Sequence, residues 1–182
     1  MMTDALDRAF DADLAEPANL GAVVRAFARA LDVDRCFLYL RDPESLRAGV
    51  VVCWRRSEAV PDLPEAYLAG WWDEDRRIHT EDPMFADALA GHPAAFIADT
   101  EAAEAGVSPE VERKFSHRAL VHVNLNADGR LWGILEPMTV APRAWSAADR
   151  AVVAATRAAL SPWAKDLVAA GPWPHASLRL VG

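Results

Sequence analysis

Residues 117–150, HRALVHVNLNADGRLWGILEPMTVAPRAWSAADR, decide the fold of this chain. They contain two apolar runs, at residues 119–125 and 131–138, that are rich in residue types favoured in β-strands. Asp128-Gly129 lies between the runs, and the Asp-Gly dipeptide is a strong short-range signal for a tight β-hairpin. This part of the sequence therefore predicts two antiparallel strands joined by a tight turn.

A helix is predicted shortly after this hairpin. Ser146 begins it and Asp149 follows three residues later, which is a carboxylate variant of the capping box. The helical pattern continues towards Leu160. Ser161-Pro162 then repeats a helix-start signal, so we expect a break or kink there and a short further helix.

The upstream sequence supplies further elements of both kinds. Amphipathic helices are predicted over residues 3–14 and 19–31, because apolar residues recur there at helical spacing. Apolar runs at residues 35–40 and 49–54, separated by a turn sequence, predict a pair of strands covered on both faces. The remaining predicted elements are helices over residues 64–69, 83–89 and 108–116 and a strand over residues 94–98.

Composition and charge restrict the class of protein. The 182 residues are 52% hydrophobic and 25% charged, as expected for one globular domain. The net charge of −8 argues against a nucleic-acid surface, which needs clustered Lys and Arg. No apolar run approaches the ~18 residues of a membrane span, and the first residues lack the apolar core of a signal peptide. Two cysteines provide no disulfide framework, so we expect a cytoplasmic location.

Three short motifs resemble the second half of a GAF domain, and in particular those of phytochromes and cyanobacteriochromes. They are Gly129, Leu-Trp-Gly-Ile-Leu at residues 131–135 and Pro-Arg-Ala-Trp-Ser at residues 142–146. A weaker similarity extends upstream to about Leu20. The resemblance implies an α/β (α+β) fold with a central antiparallel sheet of five to six strands. It places the terminal helices on one face and a lid of loops and short helices over a ligand pocket on the other.

The sequence predicts three parts in this chain. An N-terminal helix is expected over residues 1–17, a GAF-like domain over residues 18–170 and a C-terminal tail over residues 171–182. Terminal helices of such domains often pair between subunits, so a homodimer is a further expectation. Two amphipathic helices that simply cover the sheet would show the same pattern.

His122 and Asn124 are the first candidates for a ligand site. Alternate residues of a strand share one face, so Leu120, His122 and Asn124 point the same way. In the relatives, the positions matching His122 and Asn124 face the pocket and help to hold an acidic group of the ligand. Both side chains can donate hydrogen bonds to a carboxylate or oxyanion. An exposed sheet face, or a buried histidine satisfied by a backbone carbonyl, would give the same sequence pattern.

Five further residues are candidate ligand contacts. Tyr39 matches a pocket-facing tyrosine of the same relatives, although core packing remains an alternative. Trp54, Trp71 and Trp72 are candidate walls, and residues 71–82 are a candidate lid because aromatic rings offer flat stacking surfaces. Arg118 either pairs with an anionic ligand or caps the carbonyl groups of the preceding helix.

The sequence argues against a covalently attached bilin. Phytochrome-like domains attach it through a cysteine in the helix before the hairpin, and residues 108–116 contain none. Asp-Arg-Cys-Phe at residues 34–37 fits a cyanobacteriochrome signature, but it lies on the predicted first strand and is interpreted as coincidence. The cofactor is therefore left unknown, with a tetrapyrrole bound without a covalent link as a minor option.

Two other chemistries have weaker support in the sequence. The free methionine sulfoxide reductases are GAF domains that use cysteines in loops, whereas Cys36 and Cys53 lie inside predicted strands, where thiols are usually inert. His79 has acidic neighbours of the types that bind metals, but no ligand-spacing motif is met and no metal is predicted. No catalytic motif appears, so we expect a protein that is not an enzyme.

The function expected from the sequence is a stand-alone GAF-type regulatory or sensory module. It would bind a small, anionic or planar molecule non-covalently and signal through dimer contacts or a partner protein. No nucleic acid or membrane is expected as a partner. The alternative is a protein–protein interaction or dimerisation module with a vestigial pocket, and a cysteine-based reductase is the second alternative.

Overall fold

The structure is a computed structural model that describes residues 4–14, 16–102, 106–107, 114–170 and 177–182. Its helices are α1 (Asp4–Phe10), α2 (Pro17–Ala30), α3 (Glu65–Leu68), α4 (Ile78–Glu81), α5 (Pro83–Leu89) and α6 (Ala147–Ala170). Its strands are β1 (Arg35–Arg41), β2 (Arg47–Arg55), β3 (Trp72–Asp73), β4 (Ala94–Ile97), β5 (Ala119–Ala127), β6 (Arg130–Thr139) and β7 (Leu178–Val181). The helix predicted over residues 108–116 falls largely outside the described residues.

The predicted hairpin is confirmed as β5 and β6. Ala127 pairs with Arg130, so the connection consists of Asp128 and Gly129 alone. Their φ angles are 52° and 71°, and two consecutive positive values are the signature of a type I′ turn. Glycine adopts such values without strain, which explains why this dipeptide marks the turn.

The strands form one sheet in the order β3-β2-β1-β6-β5-β4, and β7 pairs with β2 in addition. All pairs on the main path are antiparallel, whereas β7 runs parallel to β2. The α/β class and the antiparallel sheet between two layers are confirmed. The sheet has seven strands instead of five to six, because residues 178–181 form a strand where the sequence predicted only a tail and the two-residue β3 forms within the candidate lid.

Strand β7 is fixed by backbone and side-chain contacts together. Gly21 of α2 lies beneath it, since a Cβ atom at this position would come within 2.9 Å of both Leu178 and Leu180. The indole of Trp54 donates to the carbonyl oxygen of Gly182. The absence of a side chain at Gly21 therefore allows the terminal strand to lie close to the helix.

The sheet separates two apolar cores. On the first face, α2 and α6 cover buried residues that include Cys36, Leu38 and Val123. On the second face, Phe37, Tyr39 and residues from the short helices form a smaller cluster. Neighbouring residues of β1 thus point to opposite sides, and continuous apolarity in this strand reflects burial on both faces.

Helix α6 begins as predicted but does not break where predicted. The Ser146 amide donates to Asp149 Oδ2 at 2.8 Å and the Asp149 amide donates to Ser146 Oγ at 3.1 Å, which is the reciprocal capping box. Pro162 lies inside a continuous helix, so the expected break and the separate further helix are wrong, while the alternative of a kink stays a prediction. Buried Leu160 and Ala164 pack on the core on either side of it, and this packing holds the helix together despite one missing backbone hydrogen bond.

Two further differences from the sequence predictions concern helices. Helix α1 ends at Phe10 instead of residue 14, and α4 was not predicted. No helix in the described part of the chain is both long and apolar enough to cross a membrane.

Candidate functional site

The second face of the sheet carries a cavity of about 250 Å³. Its floor is formed by residues of β1, β6 and β5, and its roof by the lid segment, defined here as residues 71–85 with β3, α4 and the start of α5. The lining residues are Phe37, Tyr39, Val50, Leu63, Tyr67, Trp72, Asp73, Glu74, Asp75, Ile78, Asp82, Met84, Phe85, Phe115, His122, Ile134 and Glu136. A concave, mainly apolar space with a few polar groups is the usual form of a small-molecule site.

Aromatic rings form a large part of the walls. Tyr67 meets Trp72 nearly edge-to-face, with ring centroids 5.6 Å apart, and Phe115 lies 5.3 Å from Tyr67 on its other side. Tyr39 lies 6.1 Å from Trp72 and 6.4 Å from Phe85. These contacts place five rings around one space, and such tilted and edge-to-face pairs favour defined orientations of the rings.

The lid segment is tied to the sheet by a buried ion pair. Arg41 at the end of β1 donates from Nε and Nη2 to the two carboxylate oxygens of Glu74, at 2.9 and 2.7 Å. Both side chains are at most 3% exposed. Arg41 Nη1 also donates to the carbonyl oxygen of Leu131. A planar guanidinium matches a carboxylate in this two-bond geometry, so the pair fixes both position and orientation.

Two more side chains complete the contacts of Glu74. The Tyr39 hydroxyl donates to Oε1 at 2.5 Å, and His79 Nε2 lies 2.6 Å from Oε2. Burial disfavours the charged carboxylate, but the hydrogen bonds from Arg41, Tyr39 and His79 outweigh it and lower the pKa of Glu74. Burial and the neighbouring Glu74 charge raise the pKa of the Tyr39 phenol well above its usual value, so it remains a donor.

His122 is held in one orientation by Asn124. Asn124 Nδ2 donates to the His92 carbonyl oxygen at 2.8 Å, which identifies Oδ1 as the atom that lies 2.7 Å from His122 Nδ1. An amide oxygen only accepts, so His122 Nδ1 carries the proton. His122 Nε2 is then the atom on the side of Glu136, 3.9 Å from its Oε2.

Glu136 lies opposite His122 across the central strands. Leu120 pairs with Met138 and Val123 with Leu135, and this register brings positions 122 and 136 face to face. Glu136 is also the partner of Phe37 on β1 and is only 7% exposed. The floor of the cavity therefore carries a carboxylate and an imidazole side by side on a rigid sheet.

Comparison with known proteins assigns this architecture. A family model of the GAF domain matches residues 18–160. The chain belongs to the GAF domain family. No curated protein sequence gives a significant match.

Solved structures share the GAF fold with this chain. The chromophore-binding domain of an unusual bacteriophytochrome from R. palustris superimposes with a TM-score of 0.67 at 18% identity. That match covers 92% of this chain and 62% of the phytochrome chain, so the present chain spans less than two thirds of it. The GAF domain of an Acinetobacter phosphoenolpyruvate-protein phosphotransferase gives a TM-score of 0.67 at 17% identity, with 93% and 95% coverage. At these identities the similarity shows the fold alone.

Three of the seven predicted site residues line the cavity, and four lie elsewhere. Tyr39, Trp72 and His122 are lining residues. Asn124 is fully buried beside His122 and donates to the loop before β4. It therefore positions the His122 ring through the contact with Nδ1 and is not itself among the lining residues. Because its amide oxygen and nitrogen already bond to protein atoms, we do not retain it as a donor to a ligand.

Trp54, Trp71 and Arg118 do not reach the cavity of this GAF domain. Trp54 and Trp71 pack with the core on the helix-covered face, whereas their neighbours Cys53 and Trp72 belong to the cluster on the opposite face. Arg118 pairs with Asp99 Oδ1 at 2.9 Å, whereas most of the helix that it was expected to cap falls outside the described residues. The orientation of Trp54 follows from the alternation of side chains along a strand, because even-numbered residues at this end of β2 face the helices.

The cysteines are poorly placed for redox chemistry. Cys36 points to the helix-covered side of the sheet, and Cys53 on the neighbouring strand points to the cavity side. Their thiols therefore lie on opposite faces of the sheet. Both thiols are free and buried. Burial raises the pKa of Cys36 well above its usual value, and burial together with Asp62 raises that of Cys53 to about 12. Neither is a thiolate near neutral pH, which is the form a nucleophile requires.

Sequence reasoning missed the three charged residues that organise the site. Arg41 lies in the predicted turn sequence, Glu74 lies in the candidate lid over residues 71–82, and Glu136 lies within the apolar run at residues 131–138. Glu136 had a usable signal, because a lone acid within residues 131–138 requires a partner if the strand is buried. His79 contacts Glu74 in the described structure, and among the described residues no group of acids, histidines and cysteines has the arrangement of a metal site.

Proposed function

We propose that this GAF domain is a regulatory or sensory module that binds a small molecule non-covalently in the cavity beneath the lid segment. The observation that carries the proposal is a space of about 250 Å³ walled by aromatic rings, with His122 and Glu136 on its floor. A site of this kind combines apolar area for affinity with a few fixed polar groups for orientation.

The construction of the lid segment supports a sensory role. Glu74 connects this segment to β1 through one buried cluster, while Trp72, Ile78 and Phe85 of the same segment line the cavity. A molecule in the cavity would therefore contact residues on both sides of the connection. Binding would bias the position of the lid segment, and a partner protein or second subunit would respond to that surface.

The described surface offers little support for a hydrophobic dimer interface. Its exposed large hydrophobic residues are Leu89 on α5, Val140 just after β6 and Val181 on β7. A homodimer through the terminal helices remains a prediction. The cavity is open, which favours a binding site over the alternative of an interaction module with a packed, vestigial pocket.

The test is mass spectrometry of freshly purified protein under native and then denaturing conditions. A small mass excess that is lost on denaturation is expected for a non-covalent ligand. Ile78→Trp fills the cavity from the lid segment, whereas Thr80→Trp places the same side chain on the exposed side of α4. We expect the first substitution to remove the excess mass and the second to leave it.

Either of two results would contradict the proposed function. Retention of the excess mass by Ile78→Trp would mean that the ligand lies outside the cavity. An unliganded mass, together with no binding of any added aromatic compound, would instead favour the protein–protein interaction module.

A further inference from the structure

The charged groups that line the cavity are all acidic in the described part of the chain. They are Asp73, Glu74, Asp75, Asp82 and Glu136. No lysine or arginine is among the described lining residues. A concave site lined by charges of one sign has a potential that favours ligands of the opposite sign.

The nearby buried cations are already directed towards protein acceptors. Arg41 makes its bonds to Glu74 and to the Leu131 carbonyl oxygen. Arg35, at the other end of β1, donates to Met138 Sδ and to the carbonyl oxygens of Pro61 and Phe115. Both guanidinium groups therefore hold the walls together, and neither presents a fork to a ligand carboxylate.

The acidic lining residues differ in their contacts and in their exposure to solvent. Glu74 is matched by Arg41, and Asp82 caps α5 by accepting from the amides of Met84 and Phe85. Asp73 and Asp75 lie at the rim with largely exposed side chains, where they add to the potential but are screened by solvent. Glu136 is the carboxylate on the cavity floor, where little solvent reaches it; it lies beside His122 Nε2, and its charge also acts on the buried Arg35.

The aromatic walls also favour a positively charged ligand. The face of a tryptophan or tyrosine ring is negative, and a cation within about 6 Å of the centroid is stabilised, more so when water is excluded. Trp72, Tyr67 and Tyr39 surround the space above Glu136. His122 adds an acceptor when Nε2 is unprotonated, because its proton is held on Nδ1 by Asn124.

From this combination we infer that the ligand is a small organic cation with a planar or apolar body. Its amine or other protonated nitrogen would lie towards Glu136 and His122 and its body between the rings of Trp72, Tyr67 and Tyr39. This inference rests on the proposed function and specifies the ligand class for the same cavity. It replaces the anionic ligand expected from the sequence.

The test compares three probes that share one ring system. Tryptamine is cationic at neutral pH, tryptophol is neutral and indole-3-propionate is anionic. Binding is measured by isothermal titration calorimetry and ligand-observed NMR with the full chain. We expect tryptamine to bind at least about tenfold more tightly than tryptophol, and indole-3-propionate to bind most weakly.

A matched pair of substitutions assigns the effect to the cavity floor. Glu136→Gln removes the charge with almost no change of shape and should reduce the preference for tryptamine over tryptophol to about twofold or less. Glu44→Gln makes the same change at an exposed glutamate paired with Arg130 and should leave the preference unchanged. Circular dichroism and thermal unfolding establish that each variant is folded.

The outcomes separate this inference from the proposed function. Equal or tighter binding of tryptophol or indole-3-propionate, removed by Ile78→Trp, would overturn the cationic class and leave the small-molecule site intact. A tryptamine preference that survives Glu136→Gln would overturn the role of the floor carboxylate. Absence of binding by all three probes at millimolar concentration would overturn both.

Discussion

Arg41 and Glu74 meet in a two-bond ion pair, at 2.9 and 2.7 Å, with both side chains almost fully buried. The pair joins the central sheet to a segment that has little regular structure of its own, since β3 is two residues long and α4 four. A buried pair is not necessarily stabilising relative to apolar residues, but removing one partner leaves an uncompensated charge. The position of the lid segment therefore depends on this contact.

Glu74→Gln should destabilise the protein and loosen the lid segment. The substitution leaves Arg41 charged, buried and without a counter-ion, which costs about 3 kcal/mol of the free energy of unfolding. Urea denaturation measures this loss, and hydrogen exchange should show faster opening at residues 71–82. Glu44→Gln, at an exposed pair with Arg130, should change neither quantity measurably. A variant as stable as the parent would contradict the structural role of the pair.

The contribution of Glu74 should disappear in acid. Its pKa is lowered in the folded state from an ordinary value of 4.5, so the unfolded chain takes up the proton more readily as the pH falls. Its stabilising effect is therefore complete above pH 4.5. It is lost as the pH falls through the pKa that Glu74 has in the folded state. The difference in unfolding free energy between the parent and Glu74→Gln should shrink correspondingly. A difference that grows in acid would mean that the sign of the shift is wrong.

Asn124→Leu should release His122 from its fixed tautomer. The change removes the acceptor of the Nδ1 proton and leaves the His92 carbonyl oxygen without its donor, which should cost about 2 kcal/mol. In the parent protein, ¹⁵N NMR of the imidazole should show Nδ1 protonated. Detection of a neutral tautomer protonated only at Nε2 would contradict the assignment. Asn126→Leu serves as a control, because that amide contacts Ala88 and not His122.

Neither cysteine should react in the folded protein near neutral pH. Burial raises the pKa of both thiols, that of Cys53 to about 12, and also blocks access of the reagent. Reaction with DTNB should be complete in urea and should proceed in buffer only at the rate of unfolding. The single variants Cys36→Ala and Cys53→Ala show which thiol reacts. Rapid modification of either thiol in the native state would revive the reductase alternative.

Gly133→Ala should be among the more damaging small substitutions in the sheet. A Cβ atom there would lie 2.5 Å from the carbonyl oxygen of Tyr39 on the neighbouring strand, so backbone has to move. We expect a loss of about 3 kcal/mol, measured by urea denaturation. Gly129→Ala provides the comparison, because only its φ of 71° opposes a side chain and the cost should be about 1 kcal/mol. The reverse order would show that the two central strands can separate.

The elements that the sequence predicts well are those with local signals. The Asp128-Gly129 turn and the Ser146–Asp149 capping box each follow from neighbouring residues, and both form as predicted. The alternation along β5 also places His122 on the cavity side as expected. These features need no knowledge of distant parts of the chain.

The features that the sequence did not predict depend on distant partners. Glu74 is indistinguishable from its exposed neighbours in the charge run until Arg41, more than 30 residues earlier, is placed beside it. Pro162 has the local signal of a helix break, but packing on the sheet overrides it. Trp71 and Trp72 are adjacent and similar, yet only one of them lines the cavity, because neighbouring residues of an extended segment face opposite sides.

Strand β7 has a consequence for how the molecule behaves among its own copies. The outer edge of β2 is paired with β3 at its start and with β7 over residues 52–55, so the described chain leaves little of this edge open. An open edge of such apolar character would be a template for strands from other molecules. The chain thus fills with its own last strand the place that a strand from a second molecule would otherwise take, and association of these domains through β2 would require β7 to leave first.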